Sequence, residues 1–228
     1  MLAFFDALTK HTTLQKLGMA GIHLGADHAQ KLCEPLGLNA ALLELNLADC
    51  DLGAEGTKAV CKVLEGFTKL SYVNFSSNHL GDSGAVHIAR LIEENHHIIE
   101  IDLFRNNIGQ SGGEQIGKAL TTNFIIQNLS IGDNLIAEKE MNLILYTVMF
   151  NTQYTKLKAT NERFGEFGYN LLAESIRRWA QSNAFVLDKI KARLLQCEDA
   201  VDFRLKSILM DAEGNIMLDA NLGSPKTS

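Results

Sequence analysis

Apolar residues recur along this chain with two alternating periods. Short stretches place them at every second position, as in Leu45 and Leu47 or Ile101 and Leu103. Longer stretches place them three or four apart. The first period buries one face of a strand, and the second buries one stripe of a helix. The alternation itself repeats: stepping 28 residues from Leu14 reaches Leu42, Leu70, Ile98, Ile126 and Tyr154. Three positions on lie Leu17, Leu45, Val73, Ile101, Leu129 and Leu157, and two beyond those lie Met19, Leu47, Phe75, Leu103, Ile131 and Ala159. Each unit therefore opens with a strand.

Further columns follow in the same register. Cys50, Asn78, Asn106 and Asn134 form a polar one, and Gly25, Gly53, Gly81, Gly109 and Gly165, with Ala137, form a glycine one. With glycine at about 7% of ordinary usage, that column arises by chance with a probability on the order of 10⁻⁵. A second glycine column holds Gly56, Gly84, Gly112 and Gly168, interrupted by His28 and Glu140. The helical stretch contributes Leu32, Val60, Ile88, Ile116, Ile144 and Leu172, then Leu36, Leu64, Ile92, Leu120, Val148 and Ile176. Asp82 and Ser111 are expected to be N-caps, and Asn39, Asn95, Asn123 and Asn151 are expected to end the helices in left-handed conformation. Strands stack about 4.8 Å apart whereas helices are about 10 Å across, so the units must fan open with the sheet on the concave side.

Phrases such as LSYVNFSSNHLGDSG (70–84) and IIEIDLFRNNIGQSG (98–112) resemble the leucine-rich repeats of the ribonuclease-inhibitor-like kind, also found in NOD-like receptors, tropomodulin and the Ran GTPase-activating protein. The resemblance covers about residues 14–181. It implies an α/β solenoid, a right-handed superhelix of about six repeats with a parallel concave sheet and convex helices. It also implies that the asparagine or cysteine column is an internal ladder satisfying backbone groups, broken by Ile22 and Glu162 at its ends.

The expected organisation is a capping helix or partial repeat over 1–13, repeats over 14–182, a C-terminal cap over 183–221 and a disordered tail over 222–228. Phe4, Phe5 and Leu8 fall on the helix columns and His11 on the asparagine column, so the chain opens midway through a unit, as a natural cap or as part of a longer protein. The C-terminal cap is expected to hold a helix over Val186–Gln196 and a hairpin pairing Ser207–Met210 with Ile216–Leu218 around the turn AEGN.

Strand residues alternating with the buried ones should line the concave face. They include Glu44, Asn46, Tyr72, Asn74, Glu100, Asp102, Asn128, Lys156 and Lys158, with Phe104 and Arg105 just beyond the central strand. Aromatic and arginine residues are enriched among interface hot spots, so this face is the expected partner-binding patch. The plainer alternative is that Phe104 packs over neighbouring strands. Glu44, Glu100 and Asp102 read as complementary to a basic partner rather than as an acid–base pair or metal site, because an open sheet encloses no pocket.

Composition narrows the function further. A net charge of −6 with no basic stripe argues against nucleic acid. No apolar run approaches the roughly 18 residues of a membrane span, and Leu2–Phe5 is too short and unflanked by basic residues for a secretory signal. A soluble cytoplasmic monomer is the expectation. Cys33, Cys50, Cys61 and Cys197 form no CxxC pair, and the histidines lack zinc spacing. GxSxG, GxxxxGK[ST] and GxGxxG phrases are absent. The chain is therefore expected to be a non-catalytic protein-interaction module without cofactor or metal. Two specialised roles remain in view: a host-directed effector of an intracellular bacterium delivered by a non-classical route, and a small-GTPase regulator by analogy with the Ran regulator.

Overall fold

Six three-residue strands carry the LxxLxL phrases: β1 (Lys16–Gly18), β2 (Glu44–Asn46), β3 (Tyr72–Asn74), β4 (Glu100–Asp102), β5 (Asn128–Ser130) and β6 (Lys156–Lys158). The computed structural model describes residues 1–137, 140, 141, 144, 156–158, 191, 195, 206, 208–211 and 213–217. The chain divides into two units, Met1–Ala159 and Thr160–Ser228. In the first, the strands form one parallel sheet in sequence order. Leu17, Leu45, Val73, Ile101, Leu129 and Leu157 stand in register across it. The described members of that row lie inside, at most 7% exposed. A slip of one residue would turn each of them to solvent, which fixes the register.

The helices alternate with the strands: α1 (Leu2–Lys10), α2 (Gly25–Gly37), α3 (Gly53–Leu64), α4 (Gly81–Glu94) and α5 (Gln110–Thr122). Leu32, Val60, Ile88, Ile116 and Ile144 are fully buried, as are Leu36 and Leu64. This is the α/β leucine-rich-repeat architecture, with a core threaded between sheet and helices. No helix among the described residues is long and apolar enough to cross a membrane.

The two glycine columns have different causes. Gly25, Gly53 and Gly81 hold φ between +57° and +60°, with open space around the site of a Cβ. Gly56, Gly84 and Gly112 are instead crowded; a Cβ on Gly112 would lie 2.7 Å from Ala85 Cβ. There the demand is close approach between helices. Gly109 departs from its column, being extended at φ −97°, and α5 accordingly starts one residue later than its predecessors.

The polar ladder forms as the resemblance implies. Asn106 Oδ1 accepts from Asn78 N (2.8 Å), and Asn134 Oδ1 from Asn106 N (2.9 Å) and Ile108 N (3.0 Å). Each amide nitrogen in turn donates to the preceding repeat, Asn106 Nδ2 to Phe75 O at 2.9 Å and Asn134 Nδ2 to Leu103 O at 2.9 Å. Cys50 substitutes with a thiol, donating to Met19 O at 3.1 Å.

Three local expectations are corrected. The described helix-end asparagines are not left-handed: Asn95 and Asn123 have φ near −94° and −92° with ψ 122°, and Asn39 is not among the positive-φ residues, while Asn151 lies outside the described residues. Their side chains instead reach back one repeat, Asn95 Nδ2 to Leu64 O and Phe67 O, and Asn123 Nδ2 to Ile92 O. They thereby satisfy carbonyls at the ends of the preceding helices and, at Phe67, in the loop just beyond one. Asp82 does not cap α4 and Ser111 does not cap α5, neither helix having a side-chain cap. Asp82 Oδ1 accepts from Gly109 N (2.6 Å) and Gly112 N (3.0 Å), joining one helix to the start of the next. The first arm of the expected hairpin is helical at Ile208 and Leu209.

In the second unit, Met210 and Ile216 form one antiparallel bridge. Between them Gly214 takes φ +80°. Asp211 Oδ1 accepts from Glu213 N (2.9 Å) and Asn215 N (2.8 Å), and Lys191 Nζ donates to Asn215 Oδ1 (3.0 Å). Of the expected 186–196 helix, Lys191 and Leu195 are described, both helical; the rest, and the 222–228 tail, lie outside the described residues. The backbone amide of Asn215, and then that of Glu213, hold the Asp211 carboxyl below its ordinary value. A carboxyl lowered in the folded state stabilises the turn above the usual carboxylate range and loses that effect as pH falls through the lowered value. In an NMR titration the Glu213 and Asn215 amide protons should shift upfield together with Asp211 protonation; Asp211→Asn should abolish the coupled step.

Candidate functional site: the outward face of the sheet

The outward face presents two side chains from each strand, between the buried ones. Register sets them in rows running Lys16, Glu44, Tyr72, Glu100, Asn128, Lys156 and Gly18, Asn46, Asn74, Asp102, Ser130, Lys158. Every predicted strand residue thus occupies one of two rows. Glu44, Asn46, Tyr72, Asn74, Glu100, Asp102 and Asn128 are all half-buried between their neighbours. The side chains of Lys156 and Lys158 lie outside the described residues.

The second row is less free than the sequence suggests. Asn46, Asn74 and Asp102 each turn an oxygen onto the backbone two residues on, accepting from Ala48 N (3.0 Å), Ser76 N (2.8 Å) and Phe104 N (2.9 Å). These turns steer the chain out of the strand. Beyond them Asp49, Ser77, Arg105 and Asp133 all adopt φ between 53° and 56°. A non-glycine residue there costs about 1–2 kcal/mol, yet interstrand bonding continues through it, as in Ser77 N to Phe104 O at 2.8 Å.

That left-handed turn places Arg105 over its own neighbour. The Arg105 Cζ lies 5.3 Å from the Phe104 ring centroid, within cation–π range. Arg105 Nε also donates to Asp133 Oδ2 at 2.5 Å. Phe104 is therefore half-buried under a guanidinium, not a bare exposed ring. Asp133 was missed in the sequence reading, although its position 28 residues after Arg105 was the available signal.

The first row carries the charge. Lys16 Nζ pairs with Glu44 Oε1 at 2.6 Å. Asn128 Nδ2 donates to Glu100 Oε2 at 3.2 Å. Among the described residues, neither Glu100 nor Asp102 is paired with a lysine or arginine. Tyr72 stands among these acids: partial burial raises its hydroxyl pKa, a side-chain hydrogen bond with Asn74 opposes the rise, and Asp102, Glu100 and Glu44 push it up further. The centre of the face is an aromatic ring in a negative field.

Elsewhere the chemistry is quiet. Among the described residues no group of three or more His, Cys, Asp or Glu side chains is arranged to hold a metal ion. Cys33, Cys50 and Cys61 are free thiols, and burial pushes the Cys61 thiol up most strongly. A buried thiol kept protonated is a packing group, since the thiolate is the reactive form.

Comparison with known proteins agrees with this geometry. Residues 39–61, 68–89 and 94–117 match the family model described as Leucine Rich repeat, so the chain carries leucine-rich repeats there. Among solved structures it is similar to leiomodin-1 actin-binding site 2 (ABS2), with a TM-score of 0.54 and 16% identity over 63% of this chain and 86% of that one. At that identity the likeness is one of fold. No curated protein sequence matches the chain.

Proposed function

We propose that this chain is a non-catalytic protein-interaction module that binds a partner protein on the outward face of its sheet, through a basic patch on that partner. The observation supporting this reading is Tyr72 set among Glu44, Glu100 and Asp102, with the last two paired with no lysine or arginine among the described residues and the Phe104–Arg105 stack beside them. Such a surface gains most from a cationic group, which meets both a ring face and carboxylates. Asn46, Asn74, Asn128, Lys156 and Lys158 complete the footprint as a polar surround. The similar solved structure is titled as an actin-binding site, consistent with protein recognition by this fold.

Affinity capture compared between the wild type and the Tyr72→Ala/Phe104→Ala double variant tests the reading. Capture should fall at least about tenfold, because buried aromatic anchors each contribute about 2 kcal/mol or more. Thermal unfolding should move by only about 2–4 °C, the shift expected for roughly 1 kcal/mol in a chain of this size. Undiminished capture by a folded variant would place the partner elsewhere.

A further inference from the structure

Beside the sheet face lies a second surface that the repeat does not require. The loops leading from each helix to the next strand carry paired positions in register: Ala40 and Ala41, Thr68 and Lys69, His96 and His97, then Phe124 and Ile125. Small, polar and aromatic residues all occupy them, so the fold sets no demand for apolarity there. Yet Phe124 is 61% exposed and Ile125 36%, in a chain whose core apolar side chains are at most 7% exposed. Ile99, also 36% exposed, precedes β4.

The backbone that carries these side chains is held by hydrogen bonds. Asn123 Oδ1 accepts from Ile125 N (2.8 Å) and Ile126 N (3.0 Å), which pins Phe124 at the tip of a closed turn. Ile99 is stitched into both neighbouring repeats, donating to Ser71 O at 2.8 Å and accepting from Gln127 N at 2.8 Å. A segment whose backbone is already ordered loses less conformational entropy on binding than a free loop. Continuity with the charged face is direct, because Ile99 and Glu100 are consecutive and Asp102 is three residues from Ile99, or about 10 Å along a strand.

We infer that the partner's footprint continues off the sheet onto this loop edge, where Ile99, Phe124 and Ile125 receive apolar side chains of the same partner segment whose cationic residues meet Glu100 and Asp102. The inference rests on the reading under Proposed function and adds the chemistry of the occupant: a basic pair and an apolar pair within one short segment. Charge complementarity selects the basic end, and the exposed ring and aliphatic pair select the other.

Fluorescein-labelled peptides test it, each carrying Arg-Lys and Phe-Leu pairs separated by zero to eight Gly-Ser residues, beside a peptide with the basic pair alone. Anisotropy should show tightest binding by the peptide with one short spacer and weaker binding as the spacer lengthens beyond it. Phe124→Ser/Ile125→Thr should weaken that peptide about tenfold while leaving the basic-only peptide unchanged. Glu100→Gln/Asp102→Asn should weaken both peptides and flatten their salt dependence. If only the charge variant weakens binding, the sheet-face reading stands and the apolar edge is overturned. Peptides that fail to bind, or that bind every variant alike, overturn both. A wild type that is dimeric by light scattering and becomes monomeric with Phe124→Ser would assign the edge to a second copy and also overturn the inference.

Discussion

Asn78→Ala is expected to lower the unfolding free energy by about 3–5 kcal/mol, from the cost of leaving several buried polar groups unpaired. Its side chain accepts from Cys50 N (3.0 Å) and Leu52 N (3.3 Å) and donates to Leu47 O (2.7 Å), Phe75 O (2.9 Å) and Ser76 O (3.1 Å). Alanine removes every one of these in a site with no exposure. Each stranded donor costs about 1–3 kcal/mol, and the strand-to-helix turns of two repeats lose their brace together. Repeat units couple mainly to their neighbours, so the damage should be local. Hydrogen exchange should therefore quicken at Cys50 and Leu52 well before it does at Ile108. Asn78→Cys should be milder, since Cys50 shows that a thiol can make one of the ladder bonds. A urea midpoint for Asn78→Ala equal to that of the wild type would remove the ladder's assigned role.

The second large effect is expected at Gly112. A Cβ there would lie 2.7 Å from Ala85 Cβ and 2.8 Å from both Asp82 Oδ1 and Ile108 Cγ2. Gly112→Ala gains up to about 1 kcal/mol of helix propensity. Against this stand about 1–3 kcal/mol of overpacking and the weakening of hydrogen bonds to a carboxylate, each about 1.5–3 kcal/mol. Net destabilisation of about 2–3 kcal/mol follows. Gly53→Ala is the contrasting case, with nothing within 4 Å of the added methyl but φ at +57°; backbone strain alone should cost about 1–2 kcal/mol. Equilibrium denaturation of both variants, with Asp82→Ala added, separates the two causes. If Asp82→Ala relieves part of the Gly112→Ala defect, the clash with that carboxylate is its source. A stabilised Gly112→Ala would mean that the helices can part at no cost.

Most of the scaffold was legible because a buried column repeats its signature six times. The 28-residue step located each strand to the residue, and the glycines marked where α2, α3 and α4 begin. The candidate site was legible to the same extent: alternation alone assigned Glu44, Tyr72 and Glu100 to one outward row. What that reading missed were polar destinations and loop-edge surfaces. Asp82 looked like a cap for the helix containing it and serves the next; Asn95 looked like a left-handed terminus and reaches the preceding one. Short polar side chains have several hydrogen-bond partners within equal reach, and the one that wins depends on which repeat lies alongside.

The sequence by itself determined the repeat length, the strand register and the apolar core, because burying one face permits only one phase of a period-two pattern. Only the tertiary structure decided where each asparagine and aspartate spends its hydrogen bonds, that Phe104 lies beneath Arg105 held by Asp133, and that Phe124 stands out on a pinned turn. The ladder bonds and the Arg105–Asp133 pair arise between residues about 28 positions apart, where stacked repeats bring side chains within hydrogen-bonding distance, and the Phe124 turn closes locally on Asn123 in a way that hydrophobic periodicity does not encode.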